Sequence, residues 1–252
     1  MASLNNLPSI SWIDLYASDT TIPSGLSVGA LQYGSDGKAF RYVKNGAVAL
    51  VAGNVLQSSV IDTQFDAMAV RVAAPAGATS VILTNGTTAV LDQDFVGGTF
   101  QIGTSSTASA NLGEEYTIVG HSTAISGAAL RVDLDRPLRT ALTVATTTVN
   151  LRRSPWSGVI QAPVTTQTGT IVGVAIWPIP ASTATVPQYG WVQTHGVASV
   201  LSDGSAIVAG SALRGGLVAG AASLATAGFA IIGQAMKAAD STHTIPVMLT
   251  ID

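Results

Sequence analysis

From Phe40 onward the chain is punctuated as β structure, and Leu130 to Asp135 alternates strictly between apolar and polar residues. Leu130, Val132 and Leu134 point one way and Arg131, Asp133 and Asp135 the other, the pattern of a strand with one wet face. Phe100/Ile102 and Tyr116/Ile118 mark two more strands, with the polar stretch Gly103 to Gly113 between them. Thr140 to Leu151 is a further β-rich run, carried by Leu142/Val144 and Val149/Leu151. In Ser80 to Leu91, Asn85-Gly86 separates two β-prone runs. Asn-Gly supplies the positive φ angles of a type I′ turn, so a hairpin is predicted there. Val51-Ala-Gly-Asn-Val-Leu56 and Val208-Ala-Gly-Ser-Ala-Leu213 share the pattern V-A-G-x-x-L, each after a turn pair, Asn45-Gly46 and Asp203-Gly204. The shared unit is a short strand, a glycine that permits positive φ, and a returning strand.

Residues 1–40 follow neither period. Pro8 and Pro23 block a regular element across them, yet Leu7, Ile10, Trp12, Ile13, Leu15 and Tyr16 are too apolar to be left in water. These six are candidate interface residues of an arm laid on a surface, either its own subunit's or a neighbour's. Pro155, Pro163, Pro178, Pro180 and Pro187 concentrate around a candidate boundary near Gln161-Ala-Pro163, and each removes a ladder donor. Trp156, Trp177, Tyr189 and Trp191 lie among them, where two β units would meet. The expectation is an all-β protein of one or two barrel- or sandwich-like units with an irregular N-terminal arm and little helix. Its divisions would be an arm over 1–40, a β domain over 41–160 and a second over 161–252.

Composition narrows the class. Hydrophobic residues make up 47% of the 252 and charged residues only 10%, the reverse of a disordered chain. Two Glu (Glu114, Glu115) and three Lys (Lys38, Lys44, Lys237) exclude a coiled coil. A net charge of -3 gives no footprint for nucleic acid. With no Cys, disulfides and thiolate chemistry are excluded. Met1 to Ile10 lacks the basic and apolar regions of a secretory signal. Gly215 to Met236 is uncharged and long enough to span a bilayer. Its Gly, Ser and Thr residues fit two short buried strands better, so no membrane partner is expected.

Candidate chemistry is sparse. His121, His195 and His243 lie far apart with no ligand at H-x-x-x-H spacing, so no zinc site is expected. Glu114 and Glu115 would point to opposite faces of a strand. Asp92/Asp94 and Asp133/Asp135 share a face, as a calcium or glycosidase pair would, or as solvated side chains do. Gly25-Leu-Ser-Val-Gly29 spells G-x-S-x-G without the strand before it and the helix after it that a nucleophile elbow needs. Gly215-Gly216, Gly220 and Gly228 lack the Lys-Ser/Thr tail and the βαβ frame of a phosphate loop. No cofactor is expected and the chain does not read as an enzyme. Arg131, Arg136, Arg139, Arg152 and Arg153 place five of the eight Arg within 23 residues. They form either a solvated face or an interface with an acidic protein surface, for which Arg136, Arg139, Arg152 and Arg153 are the candidates.

Several phrases resemble structural proteins of tailed bacteriophages, most of all head decoration (cement) proteins. They are Ser154-Pro-Trp-Ser-Gly-Val-Ile-Gln-Ala-Pro163, Gln188-Tyr-Gly-Trp-Val-Gln-Thr-His-Gly196, Ile232-Gly-Gln-Ala-Met-Lys-Ala-Ala-Asp240 and Val247-Met-Leu-Thr-Ile-Asp252. Phe40-Arg-Tyr-Val-Lys-Asn-Gly-Ala47 with Val51-Ala-Gly-Asn54 is similar to the opening of that class; Ala73 to Ser126 adds nothing to the likeness. The resemblance implies a non-enzymatic all-β virion protein, made in the bacterial host cytoplasm. It would bind the outside of an icosahedral capsid through the major capsid protein and assemble with itself as a homotrimer. A tail or fibre component has the same composition, and a β-fold polysaccharide-active enzyme would need a carboxylate pair in a cleft with aromatic platforms.

Overall fold

The computed structural model describes residues 15–104, 113–144, 146–164, 167–183, 185–216, 218–226, 228–239 and 243–252. It is all-β, as the alternation predicts. Four strands come first: β1 (Ser18–Asp19), β2 (Leu31–Tyr33), β3 (Ala39–Asn45) and β4 (Val55–Gln57). Six follow: β5 (Met68–Val72), β6 (Ser80–Thr84), β7 (Thr99–Thr104), β8 (Glu115–His121), β9 (Ala129–Leu134) and β10 (Thr148–Arg152). The last seven are β11 (Ser157–Gln161), β12 (Ile171–Ala175), β13 (Tyr189–Leu201), β14 (Ala212–Gly215), β15 (Ala222–Leu224), β16 (Ile231–Ala235) and β17 (Thr244–Thr250). Among the described residues the only named helical element is the 3₁₀ turn Thr63–Phe65.

The division at residue 161 is not where the chain separates. One compact unit joins the residues up to Val60 to Pro155–Asp252, and the second, Ile61–Ser154, is inserted between β4 and β11. The physical reason lies in β11, which pairs with β4 (Ile160 opposite Gln57) and with β3, and so belongs to the outer unit. Nor do the described residues before Ala39 form a separate arm. Leu15, Leu26, Val28 and Ala30 pack on Phe40, Tyr42, Tyr189 and Trp191 of the outer unit, and β1 and β2 pair with β13 and β3. Leu7, Ile10, Trp12 and Ile13 lie outside the described residues.

The outer unit repeats one strand topology twice, over a span far longer than the six-residue echo. In barrel A, β3, β13, β12, β4 and β11 form a closed circuit, completed by parallel pairing of β11 with β3. In barrel B, the second half of β13 takes the place of β3, followed by β17, β16, β14 and β15. The closing contact is again parallel, Ser202 opposite Ala222. One long strand thus ends barrel A and begins barrel B. Core positions correspond through the strand registers: Val43/Val200, Leu50/Ile207, Leu56/Leu213, Val159/Ala222, Val172/Ile232 and Val192/Val247 are all buried. Both V-A-G turns are built alike. Gly53 (φ 85°) donates to the Ala175 carbonyl at 2.7 Å, and Gly210 (φ 83°) to that of Ala235 at 2.7 Å. A side chain is strained at such an angle, so glycine is required at both. The run Gly215–Met236 contains β15 and β16, as expected, and no helix among the described residues is long and apolar enough to cross a membrane.

The inserted unit is a closed barrel in the order β10-β5-β6-β9-β8-β7. Leu130, Val132 and Leu134 face its core and Arg131 faces outward, as the alternation requires. The predicted Asn85-Gly86 hairpin does not form. β6 pairs with β5 and β9, and neither residue has positive φ. The Asn85 side chain is buried instead and donates to the carbonyls of Thr88 (2.9 Å) and Ile125 (3.0 Å).

Candidate interaction surface

Tyr189 and Trp191 sit on the outward face of β13 in barrel A beside Phe40 and Tyr42 of β3, whereas Trp156 packs against the core of barrel A and Trp177 follows β12. Tyr42 lies opposite Trp191 across the ladder, with ring centroids 5.1 Å apart, and stacks on Tyr189 at 6.0 Å. Its hydroxyl donates to Asp19 Oδ2 at 2.8 Å. Burial first, and then that bond, push the Tyr42 phenol far above its ordinary value. Leu15, 4% exposed, seals the cluster from outside. The first described residues therefore dock on their own chain.

Tyr16 turns outward and meets Trp177 edge to face at 5.9 Å. Both rings remain nearly half exposed, 47% and 45%. Beside Tyr16 runs a cleft of about 280 Å³, lined by Ala52 and Gly53 of barrel A and by Val197, Ser199 and Thr244 of barrel B. Val51 and Val208, the first residues of the two V-A-G turns, are equivalent and both exposed. The outer unit has five basic residues (Lys38, Arg41, Lys44, Arg214, Lys237) and six acidic ones (Asp14, Asp19, Asp36, Asp203, Asp240, Asp252). Such a surface offers aromatic and branched apolar contacts with little charge, the make-up of an interface core.

The arginine cluster falls wholly in the inserted unit, where carboxylates hold most of it. Arg131 pairs with Asp133 at 2.8 Å, Arg136 with Asp135 at 3.1 Å, Arg153 with Asp94 at 3.3 Å, and Arg152 with Asp66. Arg136 also lies 4.9 Å over the Tyr116 ring, and Arg153 lies 5.7 Å from that of Phe95. The exposed Arg139 has no ion pair among the described residues; its backbone N–H donates to the Tyr116 hydroxyl at 2.9 Å. The same pairs occupy Asp94, Asp133 and Asp135, and among the described residues no group of three His, Asp or Glu is placed to hold a metal.

The histidines are not brought together. His121 Nε2 accepts the Phe95 N–H at 3.1 Å. His195 lies within β13, not in a turn, with Nδ1 3.1 Å from the Asp252 carbonyl oxygen. One polar feature escaped the sequence reading: Arg214 is buried in barrel B, although it read only as the flank of an apolar run. No family model, curated protein or solved structure matches this chain.

Proposed function

We propose that this chain is a structural protein of a tailed-phage virion that seats on the outside of an icosahedral capsid and stabilises it by protein–protein contacts. Its partners would be the major capsid protein and further copies of itself. The observation that carries the reading is the charge-poor outer unit with exposed Tyr16, Trp177, Val51 and Val208. Exposed aromatics on a surface with few charges suit burial against another protein. The phrases that resemble decoration proteins lie almost wholly in that unit.

A protein that binds the assembled shell and not its unfolded subunits raises shell stability by mass action. Shells lacking it should rupture at lower temperature or lower osmotic stress, and purified particles should carry it in hundreds of copies. Equal rupture thresholds would refute cementing, and a few copies per particle would point to a tail or fibre component.

A further inference from the structure

The two barrels differ chemically at one buried position. In barrel A it is Gln57, paired with Ile160 on one side and Ile171 on the other. Its amide is satisfied by a loop residue: Nε2 donates to Thr168 Oγ1 at 2.7 Å, and Oε1 accepts the Thr168 N–H at 3.3 Å. In barrel B the same position is Arg214, paired with Ser223 and Ile231. The residue matching Thr168 is Gly228, which has no side chain to offer, and the Phe229 ring beside it lies 4.2 Å from the guanidinium carbon.

Arg214 is 5% exposed. Its Nη1 donates to the Gly215 carbonyl at 2.6 Å, its Nε is buried without a partner, and no carboxylate pairs with it among the described residues. A full positive charge and an unused Nε donor are thus buried at Arg214. A buried cation without a counter-charge is costly, and barrel A shows that a neutral amide serves the fold at this position.

We propose that Arg214 is an oxyanion-receiving site, taking a carboxylate or phosphate-like oxygen pair on its planar fork. The test uses the full chain alone, so it stands or falls apart from the capsid reading. Melting temperature is followed at fixed ionic strength as chloride is replaced by inorganic phosphate, by acetate, or by a hexaglutamate peptide. Wild type should gain stability saturably with at least one of them. Phosphate alone would assign a free inorganic anion, and acetate or hexaglutamate a protein carboxylate.

Arg214→Gln, the barrel A residue, should raise the half-saturating concentration about tenfold or more, the size of a lost charge-assisted hydrogen bond. In chloride it should melt above wild type. Arg214→Lys keeps the charge without the fork and should also shift half-saturation, which keeps the test open if Arg214→Gln does not fold. No saturable gain with any of the three probes, or an unshifted half-saturation in the variant, would overturn the proposal.

Discussion

Asn45 and Asn85 hold the same position in two different barrels. Each is buried at the end of a strand and donates Nδ2 to the carbonyl three residues on, Val48 at 3.0 Å and Thr88 at 2.9 Å. Each then reaches a segment bridged to its own loop: Ile179 and Pro180 for Asn45, Ala124 and Ile125 for Asn85. The inserted unit also repeats the glycine turn, since Gly97 (φ 74°) donates to the Ile118 carbonyl at 2.8 Å as Gly53 does to Ala175. The strand–loop–turn element of the outer barrels therefore recurs a third time.

Replacing either asparagine by alanine leaves buried carbonyls unpaired, at a cost of about 1–3 kcal/mol. Asn→Asp should cost more, because it turns a donor into an acceptor facing oxygens. All four tryptophans lie outside residues 61–154, so tryptophan fluorescence reports on the outer unit. Asn45→Ala should lower the denaturant midpoint seen by tryptophan. Asn85→Ala should lower the midpoint seen in the circular dichroism of the isolated inserted unit. An unchanged midpoint in both variants would remove the proposed role of the side chain.

Strands were legible in the sequence wherever one face is wet, as in Leu130 to Leu134. The Asn85-Gly86 signal misled because the pair is used for its amide and not for its φ, which dipeptide statistics do not distinguish. The insertion was hidden because pairing of Gln57 with Ile160 is non-local, and nothing near Val60 marks a departure. The repeated topology showed only at V-A-G-x-x-L. Its other strands, β12 and β16, share just an Ile, a Gly and an Ala at matching places: Ile171, Gly173, Ala175 and Ile231, Gly233, Ala235. Arg214 was invisible as a buried cation because nothing in the Gly- and Ala-rich run after it shows that β15, β16 and Phe229 close over its side chain.

Gly173 and Gly233 give a prediction of their own. Both have left-handed-side φ values, 154° and 158°, and a Cβ on either would press the carbonyl oxygen of the strand alongside, Gln193 or Met248. Gly173→Ala and Gly233→Ala should each cost at least about 1–3 kcal/mol of backbone strain. Gly37→Ala, at φ 78° with open space around it, should cost only the conformational penalty of about 1–2 kcal/mol. Equal urea midpoints for the three variants would show that the strands accommodate the added carbon.

Leu15 and Tyr16 are neighbours with opposite expected effects. Leu15→Ala empties a site in the aromatic cluster and should destabilise by about 2–5 kcal/mol, read as a lower tryptophan melting temperature. Tyr16→Ala should leave melting nearly unchanged and reduce occupancy of purified shells, because its ring lies on the surface beside Trp177. Wild-type occupancy for Tyr16→Ala would move the shell contact away from this pair.

Tyr42 links burial to alkaline stability. Its phenol is raised in the folded chain by burial and by Asp19, while an unfolded tyrosine ionises near about pH 10. The stabilisation is fully present below that pH and is lost as pH rises above it, when only the unfolded chain releases the proton. Tyr116, raised chiefly by burial, adds a decline of the same sign. Tyr42→Phe should flatten part of the fall in melting temperature above about pH 10, while losing about 0.5–1.5 kcal/mol at neutral pH with the bond to Asp19. An alkaline slope identical to wild type would place the phenol in water.

The inserted unit should be removable. Barrel B closes the same β-strand circuit as barrel A with the short connection 216–221 where barrel A carries residues 61–154. Among the described residues the core of barrel A, which includes Val43, Leu50, Leu56, Val159, Val172 and Val192, is built from the outer unit's own side chains. Closing a short loop costs less entropy than closing a long one, by only about 0.6 kcal/mol per doubling of length, so joining Val60 to Pro155 through a few glycine and serine residues carries no large penalty of its own. The shortened chain should keep the tryptophan emission of the folded protein and a cooperative melt, while residues 61–154 alone should fold as a closed barrel. If the exposed aromatics of the outer unit make the shell contact, the shortened chain should still occupy shells. A shortened chain that folds but no longer binds would assign the contact to the inserted barrel, where Arg71 and Arg139 have no ion pair among the described residues.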